Sequence, residues 1–295
     1  MSSELWNQLN GHERINEKRD AFERELRALI GRYERAANKP RIAYQGLEGS
    51  FSDEATSKMF AQYTPIPCTS FAEAFDAVEK DLADYALIPV ENSIFGSVAE
   101  AYDLLHERTL WVLAEAQMRI RHCLIGERNG KEVYSHPQAL GQCRTYLNNQ
   151  GLLPIPYYDT AGAVRERAGQ ALTIGSARAA QIYHAQIIEE DIGPAENRTR
   201  FFLLAREPQA GTMRGAIIFT LRHGTSPGTL YQALEALNRY AINLTKIESR
   251  PAGNWSYRFI AEFVHTQQLT DALEALKEHT AHLRYLGSYD ILEIE

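Results

Sequence analysis

Between residues 41 and 206, short apolar runs alternate with stretches of helical periodicity, and this alternation constrains the fold more than any other feature. The run YALIPV (85–90), for example, precedes the helical pattern SVAEAYDLLHE (97–107). Strands that alternate with helices predict an α/β domain with a mostly parallel sheet. The length of the region favours two small lobes over one sheet. We expect one lobe over residues 40–115 with 195–207 and the other over 116–194.

The last part of the chain has a different pattern. After a linker with Gly, Pro and Thr at residues 206–215, strand and helix patterns follow in the order βαββαβ, which is the ferredoxin-like plan. We therefore expect a catalytic or binding domain over residues 40–207 and a separate domain over residues 214–295.

Residues 1–39 are dense in charge and carry one apolar stripe at helical spacing. We expect a helical extension that ends at Pro40 and either docks on another surface or remains a solvated arm. The stripe consists of Ile15, Phe22, Leu26, Leu29 and Tyr33.

The composition excludes several function classes. The 38 acidic and 31 basic side chains give a formal charge of -7, which argues against electrostatic binding of nucleic acid or an anionic membrane. The 3 cysteines form no CxxC motif, so we expect buried thiols in a reducing cytoplasm rather than disulfides or zinc. No secretory signal, dinucleotide fingerprint or metal motif is found, so we expect no cofactor and no metal.

Five loops that follow strands and open helices are rich in Ser, Thr, Asn and Gly. Helix N-termini present unpaired N–H groups and a partial positive charge, which favour a bound anion. Each loop alone is more typical of a helix cap or a turn than of a ligand site. Together they predict a groove for a small acidic molecule. The loops are residues 45–52, 90–98, 135–140, 159–163 and 175–180.

A threonine between two arginines opens a buried strand at Arg198, Thr199 and Arg200. An arginine can pair with a carboxylate, and a hydroxyl can bond a departing oxygen. Alternation along a strand directs Thr199 to one face and both arginines to the other. We favour Thr199 in the site, with Arg200 there only if the strand begins later.

Four motifs together resemble prephenate dehydratase with a C-terminal ACT regulatory domain, over residues 41–295. The resemblance implies a two-lobed catalytic domain like that of periplasmic binding proteins, followed by the ACT domain. It implies a carbon-oxygen lyase (hydro-lyase) that converts prephenate to phenylpyruvate in phenylalanine biosynthesis, without metal or redox cofactor. The motifs are PVENSIFGSV (89–98), YSHPQALGQCRTYL (134–147), ENRTRFFLLA (196–205) and NLTKIESRP (243–251).

The same resemblance implies the site residues. Thr199 matches the catalytic threonine of the family, and we expect it to orient and stabilise the leaving hydroxyl rather than to protonate it unaided. The residues implied to bind substrate are Asn92, Ser93, Gly96, Thr160, Ala161, Arg200 and Phe201.

Three other polar residues have two interpretations each. Glu91 is a general acid if burial raises its pKa, and otherwise a loop carboxylate, which we favour. His136 titrates near neutrality, but a structural histidine that shapes its turn is the better expectation. Asp159 would repel a dianion, yet it could receive the ammonium group of arogenate. The loops at 44–52 and 158–164 are also similar to plant-type members, so arogenate dehydratase is the alternative.

The appended domain predicts ligand control. The resemblance implies that phenylalanine binds at a subunit interface of a homodimer or homotetramer, to which the N-terminal helix could contribute. Thr229 stands where relatives usually have alanine, which leaves the effector open. The alternatives are a plain dimerisation module and a non-catalytic amino-acid sensor; Thr199 argues against the sensor. The implied effector residues are Gly228, Thr229, Leu230, Asn243, Leu244, Glu248, Ser249, Arg250 and Pro251.

Overall fold

The computed structural model describes residues 39–128, 130–209, 211–222, 226–253 and 256–294, so the expected N-terminal helix lies outside the described residues. The strands are β1 (Arg41–Gln45), β2 (Thr64–Cys68), β3 (Tyr85–Asn92), β4 (Gly96–Ser97), β5 (Trp111–Arg119), β6 (Cys123–Gly126), β7 (Glu132–Ser135), β8 (Leu153–Pro156), β9 (Leu172–Gly175), β10 (Ile187–Glu189), β11 (Arg198–Ala205), β12 (Arg214–Leu221), β13 (Leu244–Pro251), β14 (Tyr257–Val264) and β15 (Thr280–Ile294). The helices are α1 (Phe51–Met59), α2 (Phe71–Glu79), α3 (Ala99–Glu107), α4 (Pro137–Gln142), α5 (Arg144–Asn149), α6 (Thr160–Arg167), α7 (Ala177–Ile182), α8 (Thr229–Arg239) and α9 (Leu269–Lys277).

The first lobe is a mixed sheet in the order β5-β11-β3-β1-β2. Strands β2, β1 and β3 are parallel, whereas β11 runs antiparallel to both β3 and β5. The chain leaves this lobe after β5 and returns through β11. Strand β5 pairs with β11 as far as Arg119, so the sheet of the first lobe continues a few residues past the rough boundary expected at residue 115.

The second lobe is a five-stranded sheet in the order β10-β6-β9-β7-β8. Its β7 pairs in parallel with β8 and β9, while β6 runs antiparallel to β9 and β10. The expected mostly parallel sheet is therefore mixed in both lobes. Antiparallel pairs appear next to the strands through which the chain crosses between lobes.

The C-terminal domain has the predicted βαββαβ order, with an antiparallel sheet β13-β14-β12-β15. Its last strand is long: the first part of β15 pairs with β12, and Asp290–Ile294 pairs with β5 of the first lobe. One continuous sheet thus passes through both domains. Gly287 allows this passage, because its φ is +128° and a Cβ there would lie 2.7 Å from the Val112 carbonyl oxygen.

Strand β11 is buried on both faces. Phe201 and Leu203 pack in a core cluster with Ala55 of α1, whereas Phe202 packs in another with Ile260 of the C-terminal domain. Successive side chains of a strand point to opposite faces, so β11 links the two cores. The three cysteines are free and buried, as predicted.

Candidate functional site

A cleft of about 530 Å³ lies between the two lobes. Gln45, Asn92 and Thr199 line it from the first lobe, and Gln138 and Thr160 line it from the second. All five side chains are polar and uncharged. The cleft can therefore hold a molecule of the size of a small ring acid and bond it from both sides.

Four helices begin at this cleft. Ser50 caps α1 and Ser70 caps α2, each by accepting a hydrogen bond from the helix's third residue. His136 caps α4 by accepting from the second residue of that helix, and Asp159 caps α6 by accepting from the third. Residues in the first turn of each of the four helices line the cleft, so the partial positive charges of the helix ends converge there.

Four of the five predicted loops contribute lining residues, namely those at 45–52, 90–98, 135–140 and 159–163. Sequence reasoning missed the segment Thr69–Phe71. Its available signal is the capping box from Ser70 to Glu73, which marks the start of a helix.

The fifth loop, residues 175–180, lies outside the described lining and joins the lobes instead. Ser176 Oγ donates to the Gly49 carbonyl at 2.6 Å, and Arg178 Nε donates to Asp53 Oδ2 at 2.7 Å. A Cβ on Gly49 would lie 2.7 Å from Ala179 Cα, so only glycine permits this approach. These contacts position the lobes on either side of the cleft.

Thr199 and Asn92 face each other across neighbouring strands. They are register partners of β11 and β3, and Asn92 Nδ2 donates to Thr199 Oγ1 at 3.0 Å. Asn92 is itself held, because its Oδ1 accepts from the backbone N–H groups of Ile94 and Phe95. Since Thr199 Oγ1 accepts from Asn92, its hydroxyl proton is available to a molecule in the cleft.

The other residues expected to bind substrate divide into two groups. Phe201 and Thr160 line the cleft, whereas Ser93, Gly96 and Ala161 do not belong to its described lining. Ser93 Oγ donates to the Glu196 carbonyl and accepts from Arg198 N–H, which fastens its loop to the start of β11. Ala161 is fully buried in the core of the second lobe, and Gly96 is exposed in the short strand β4.

The expectation that Arg200 binds substrate is wrong in this geometry, because β11 begins at Arg198 and Arg200 faces away from the cleft. Its Nη2 lies 2.6 Å from Glu115 Oε2 and 2.5 Å from Glu262 Oε2, and its Nη1 bonds Glu91. Glu115 and Glu262 are 1% and 3% exposed. Arg200 therefore neutralises buried carboxylates at the junction with the C-terminal domain.

Glu91 belongs to the same junction. Burial alone would raise the pKa of Glu91, but Lys246 and Arg200 outweigh it and hold the pKa below its ordinary value. Lys246 Nζ lies 3.1 Å from Glu91 Oε2 and donates to Ser97 Oγ at 2.7 Å. A carboxyl group acts as a general acid near neutral pH only when its pKa is raised, so the contacts of Glu91 favour the interpretation as a paired carboxylate.

Two histidines line the cleft. His136 shapes its turn, since its Nδ1 accepts from Gln138 N–H at 3.3 Å. His122 was missed, because a lone histidine between two strand patterns carries no signal. It is 2% exposed, and its Nε2 lies 2.5 Å from Gln142 Oε1. Burial lowers the pKa of His122, against a smaller opposite effect of Gln142.

The described lining of the cleft contains no lysine or arginine, and Glu100 is its only carboxylate. Asp159 is not in that lining: its Oδ1 accepts from Gly162 N–H at 2.7 Å as the cap of α6. Among the described residues, no group of His, Cys, Asp and Glu side chains is placed to hold a metal ion. No described helix is both long and apolar enough to cross a membrane.

The residues expected to bind an effector fall at different places of the C-terminal domain. Along β13, Glu248 and Arg250 face the first lobe, where Glu248 bonds Ser97 and Arg250 Nε lies 3.8 Å from Asp103 Oδ1. Ser249 and Pro251 are exposed on the other side. Gly228 to Leu230 open α8, whereas Asn243 and Leu244 follow the end of that helix.

The family models and the curated relatives agree on one family. The family model for prephenate dehydratase matches residues 42–209, and the model for the ACT domain matches residues 216–280. Arogenate dehydratase/prephenate dehydratase 2, chloroplastic, of Arabidopsis thaliana is 38% identical over 282 residues, which cover 86% of this chain and 74% of the relative.

Two solved structures share the fold over most of the chain. A prephenate dehydratase in complex with L-Phe from Arthrobacter aurescens has a TM-score of 0.76 and 26% identity, covering 85% of this chain and 90% of that one. GqqA, described as a novel type of quorum quenching acylase, has a TM-score of 0.76 and 29% identity, covering 84% and 97%.

Proposed function

The chain belongs to the prephenate dehydratase family and carries an ACT domain, and from this premise we propose that its cleft converts prephenate to phenylpyruvate, carbon dioxide and water. The observation that carries the proposal is the pair of Asn92 and Thr199 within a cleft onto which four helix N-termini open. Such a cleft suits a small dicarboxylate, because N–H groups bind anions without requiring a buried cation.

Thr199 assists the departure of the ring hydroxyl. The bond between the ring and its carboxylate breaks, and that electron pair enters the ring as the carbon–oxygen bond to the hydroxyl breaks. Thr199 Oγ1 donates a hydrogen bond to the leaving oxygen, while Asn92 fixes the direction of the threonine hydroxyl. A positioned donor of this kind contributes roughly 3–4 kcal/mol. Aromatisation of the ring supplies the driving force.

Ser70, Gln138 and Thr160, with the N–H groups of their helices, hold the two carboxylates in this proposal. Phe51, Phe71 and Phe201 provide the apolar wall against which the ring lies. A ring held between apolar side chains and polar ends is the usual composition of a small-molecule site.

Arogenate is the second candidate substrate, and Glu100 favours it. Arogenate differs from prephenate by an ammonium group in place of the side-chain keto group. Glu100 is the only carboxylate in the described lining, and no described lysine or arginine of that lining neutralises it. The relative from Arabidopsis carries both activities in its name. Asp159 no longer supports this alternative, because it caps α6.

We also propose that phenylalanine regulates the enzyme through a homodimer or homotetramer of ACT domains. L-Phe is the ligand of the similar Arthrobacter aurescens protein. Gly228 and Asn243 lie at opposite ends of α8, whose 11 residues span about 16 Å. A site that uses both segments requires a second copy of the domain. Size-exclusion chromatography with and without phenylalanine tests this assembly.

The deciding experiment supplies prephenate and arogenate separately to the purified chain. Phenylpyruvate is followed by its absorbance in alkali, and phenylalanine by chromatography. Conversion of either substrate identifies the enzyme, and the ratio of the two kcat/KM values identifies the preferred one. Binding of phenylalanine without turnover of either substrate would instead support the alternative of a non-catalytic amino-acid sensor.

We further propose that the protein works in the cytoplasm, although the relative from Arabidopsis is named as chloroplastic. The three free, buried cysteines support a reducing compartment, because disulfides form in oxidising ones. Fractionation of the source cells with an antibody against this chain tests the location.

A further inference from the structure

His122 is the one histidine of the described cleft lining that has a buried nitrogen without a partner. Its Nε2 is bonded to Gln142 Oε1 at 2.5 Å, but its Nδ1 contacts no hydrogen-bonding group of the described chain. Buried polar atoms are nearly always bonded, so this nitrogen of a residue that lines the cleft needs a partner that the described chain does not supply. The other cleft histidine, His136, already uses its Nδ1 to accept from Gln138 N–H.

The proposed reaction needs a proton. Prephenate loses its hydroxyl as water, and a hydroxide would be a poor leaving group. Thr199 can orient the oxygen, but its hydroxyl is too weak an acid to protonate it. Glu91 faces the junction with the C-terminal domain. Burial raises its pKa, but Lys246 and Arg200 outweigh burial and hold the pKa below its ordinary value. Neither Thr199 nor Glu91 therefore accounts for the proton that the leaving hydroxyl needs.

The charge of the cleft also points to a histidine. A dianionic substrate enters a cleft whose described lining holds no lysine or arginine, so its charge raises the proton affinity of any nearby imidazole. The groups in contact with His122, namely Phe51, Gln142 and Gly193, are uncharged. The other titratable groups of the described lining are His136 and Glu100.

We propose, on the basis of the dehydratase function above, that His122 is the general acid of the reaction. The Nε2–H donates to Gln142 Oε1 in both protonation states, so the added proton resides on Nδ1. As the carboxylate carbon–carbon bond breaks and carbon dioxide leaves, Nδ1–H gives its proton to the departing hydroxyl oxygen. Water is released, Nδ1 recovers its lone pair, and solvent returns the proton for the next turnover.

The test is the pH dependence of steady-state turnover between pH 6 and 10. We expect kcat of the native chain to fall tenfold per pH unit above an apparent pKa, because only the imidazolium is active. The corresponding fall in kcat/KM lies at lower pH, because kcat/KM reports the free enzyme, in which burial lowers the pKa of His122. A native profile without a fall at alkaline pH would overturn the proposal.

Substitution separates His122 from the other histidines. His122→Asn and His122→Gln should lower kcat about 100-fold and abolish the alkaline fall. His136→Gln should keep that fall. His106→Gln is the matched control, because His106 also has a buried, unpartnered Nδ1 but lies outside the described cleft lining. It should keep both kcat and the profile.

The experiments distinguish a failure of the dehydratase function from a failure of the role of His122. If the native chain converts neither prephenate nor arogenate, the dehydratase function fails. If it converts one of them, and the His122 variants keep kcat within threefold with the alkaline fall unchanged, only the role of His122 fails.

Discussion

The two faces of strand β11 carry opposite chemistry although they are one residue apart. Thr199 faces an interlobe cleft whose polar lining is almost free of charge. Arg200 faces the C-terminal domain and meets the carboxylates of Glu91, Glu115 and Glu262. The neighbouring strand β3 repeats the division, because Asn92 pairs with Thr199 and Glu91 pairs with Arg200. A group that lines the cleft and a group that forms ion pairs at the junction of two domains are thus adjacent in the sequence.

This difference explains how a regulatory domain can reach the chemistry without entering the cleft. Glu262 belongs to β14 of the ACT domain and contacts Arg200, one peptide bond away from Thr199. Lys246 of β13 contacts Glu91, which precedes Asn92. The charged contacts of β13 and β14 thus end on Glu91 and Arg200, the residues adjacent to the Asn92–Thr199 pair. Substitutions on the two faces should separate stability from turnover.

The largest effect is expected on the charged face. Arg200→Met leaves Glu115 and Glu262 buried without a cation, which should lower the free energy of unfolding by about 3–5 kcal/mol. Urea unfolding followed by circular dichroism measures the change. Arg198→Met is the control on the same strand, because Arg198 and its partner Glu293 are 45% and 53% exposed. It should change stability by less than about 0.5 kcal/mol.

An opposite result for Arg200 would break the comparison. If Arg200→Met kept the unfolding free energy and raised only KM for prephenate, Arg200 would bind substrate. Its position on the face away from the cleft would then have to change during turnover.

On the cleft face, the effect should fall on turnover instead. Thr199→Ala removes the donor to the leaving oxygen and should lower kcat by about 100- to 1,000-fold. Stability should change by no more than about 1 kcal/mol, because a single neutral hydrogen bond is lost. Thr199→Ser keeps the hydroxyl and should retain much more activity than the alanine variant. Full turnover by Thr199→Ala in the phenylpyruvate assay would remove Thr199 from the mechanism.

The division between the faces shows what could be predicted from sequence. The alternation rule correctly separated Thr199 from its neighbouring arginines, because it depends only on strand geometry. It could not supply the partners of Arg200, which come from strands 62 to 109 residues away in the chain. The sequence alone therefore assigns the charge of Arg200 to the substrate, whereas Glu91 and Glu115 of the first lobe and Glu262 of the C-terminal domain account for it.

The other features that could not be predicted from the sequence have similar physical causes. The helix caps at Ser50 and Ser70 follow from local sequence, and the convergence of these helix ends on one cleft follows from the fold rules for α/β sheets. The continuous sheet through β15 does not, because pairing between β15 and β5 joins residues far apart in the chain. His122 was missed for the same reason: its burial and its bond to Gln142 exist only after the lobes have folded.

A smaller effect is expected for the residue that orients Thr199. Asn92→Ala removes the Nδ2 group that donates both to Thr199 Oγ1 and to the buried Asn197 Oδ1. An unsatisfied buried group costs about 1–3 kcal/mol, so a modest loss of stability should accompany a loss of kcat of about tenfold to 100-fold. Kinetics and urea unfolding of one preparation measure both. Unchanged kcat would mean that Thr199 needs no support from β3.

The smallest effect belongs to Glu91, the partner of Arg200 on β3, and it should depend on pH. Burial raises the pKa of Glu91, but Lys246 and Arg200 bring it below its ordinary value near 4.5. Its unfolded form therefore binds more protons as the pH falls through 4.5, so its stabilisation is complete above that pH and is lost below it.

Glu91→Gln should accordingly lower the free energy of unfolding by about 0.5–1 kcal/mol at pH 7, the range of partly exposed ion pairs. The difference from the native chain should shrink as the pH falls through 4.5 toward the lowered pKa. Urea unfolding of both proteins at pH 7, 5 and 4 measures it. A difference that stays constant over this range would mean that the Glu91 carboxylate contributes through shape and not through charge, and the ionic character of this face would then rest on Glu115 and Glu262 alone.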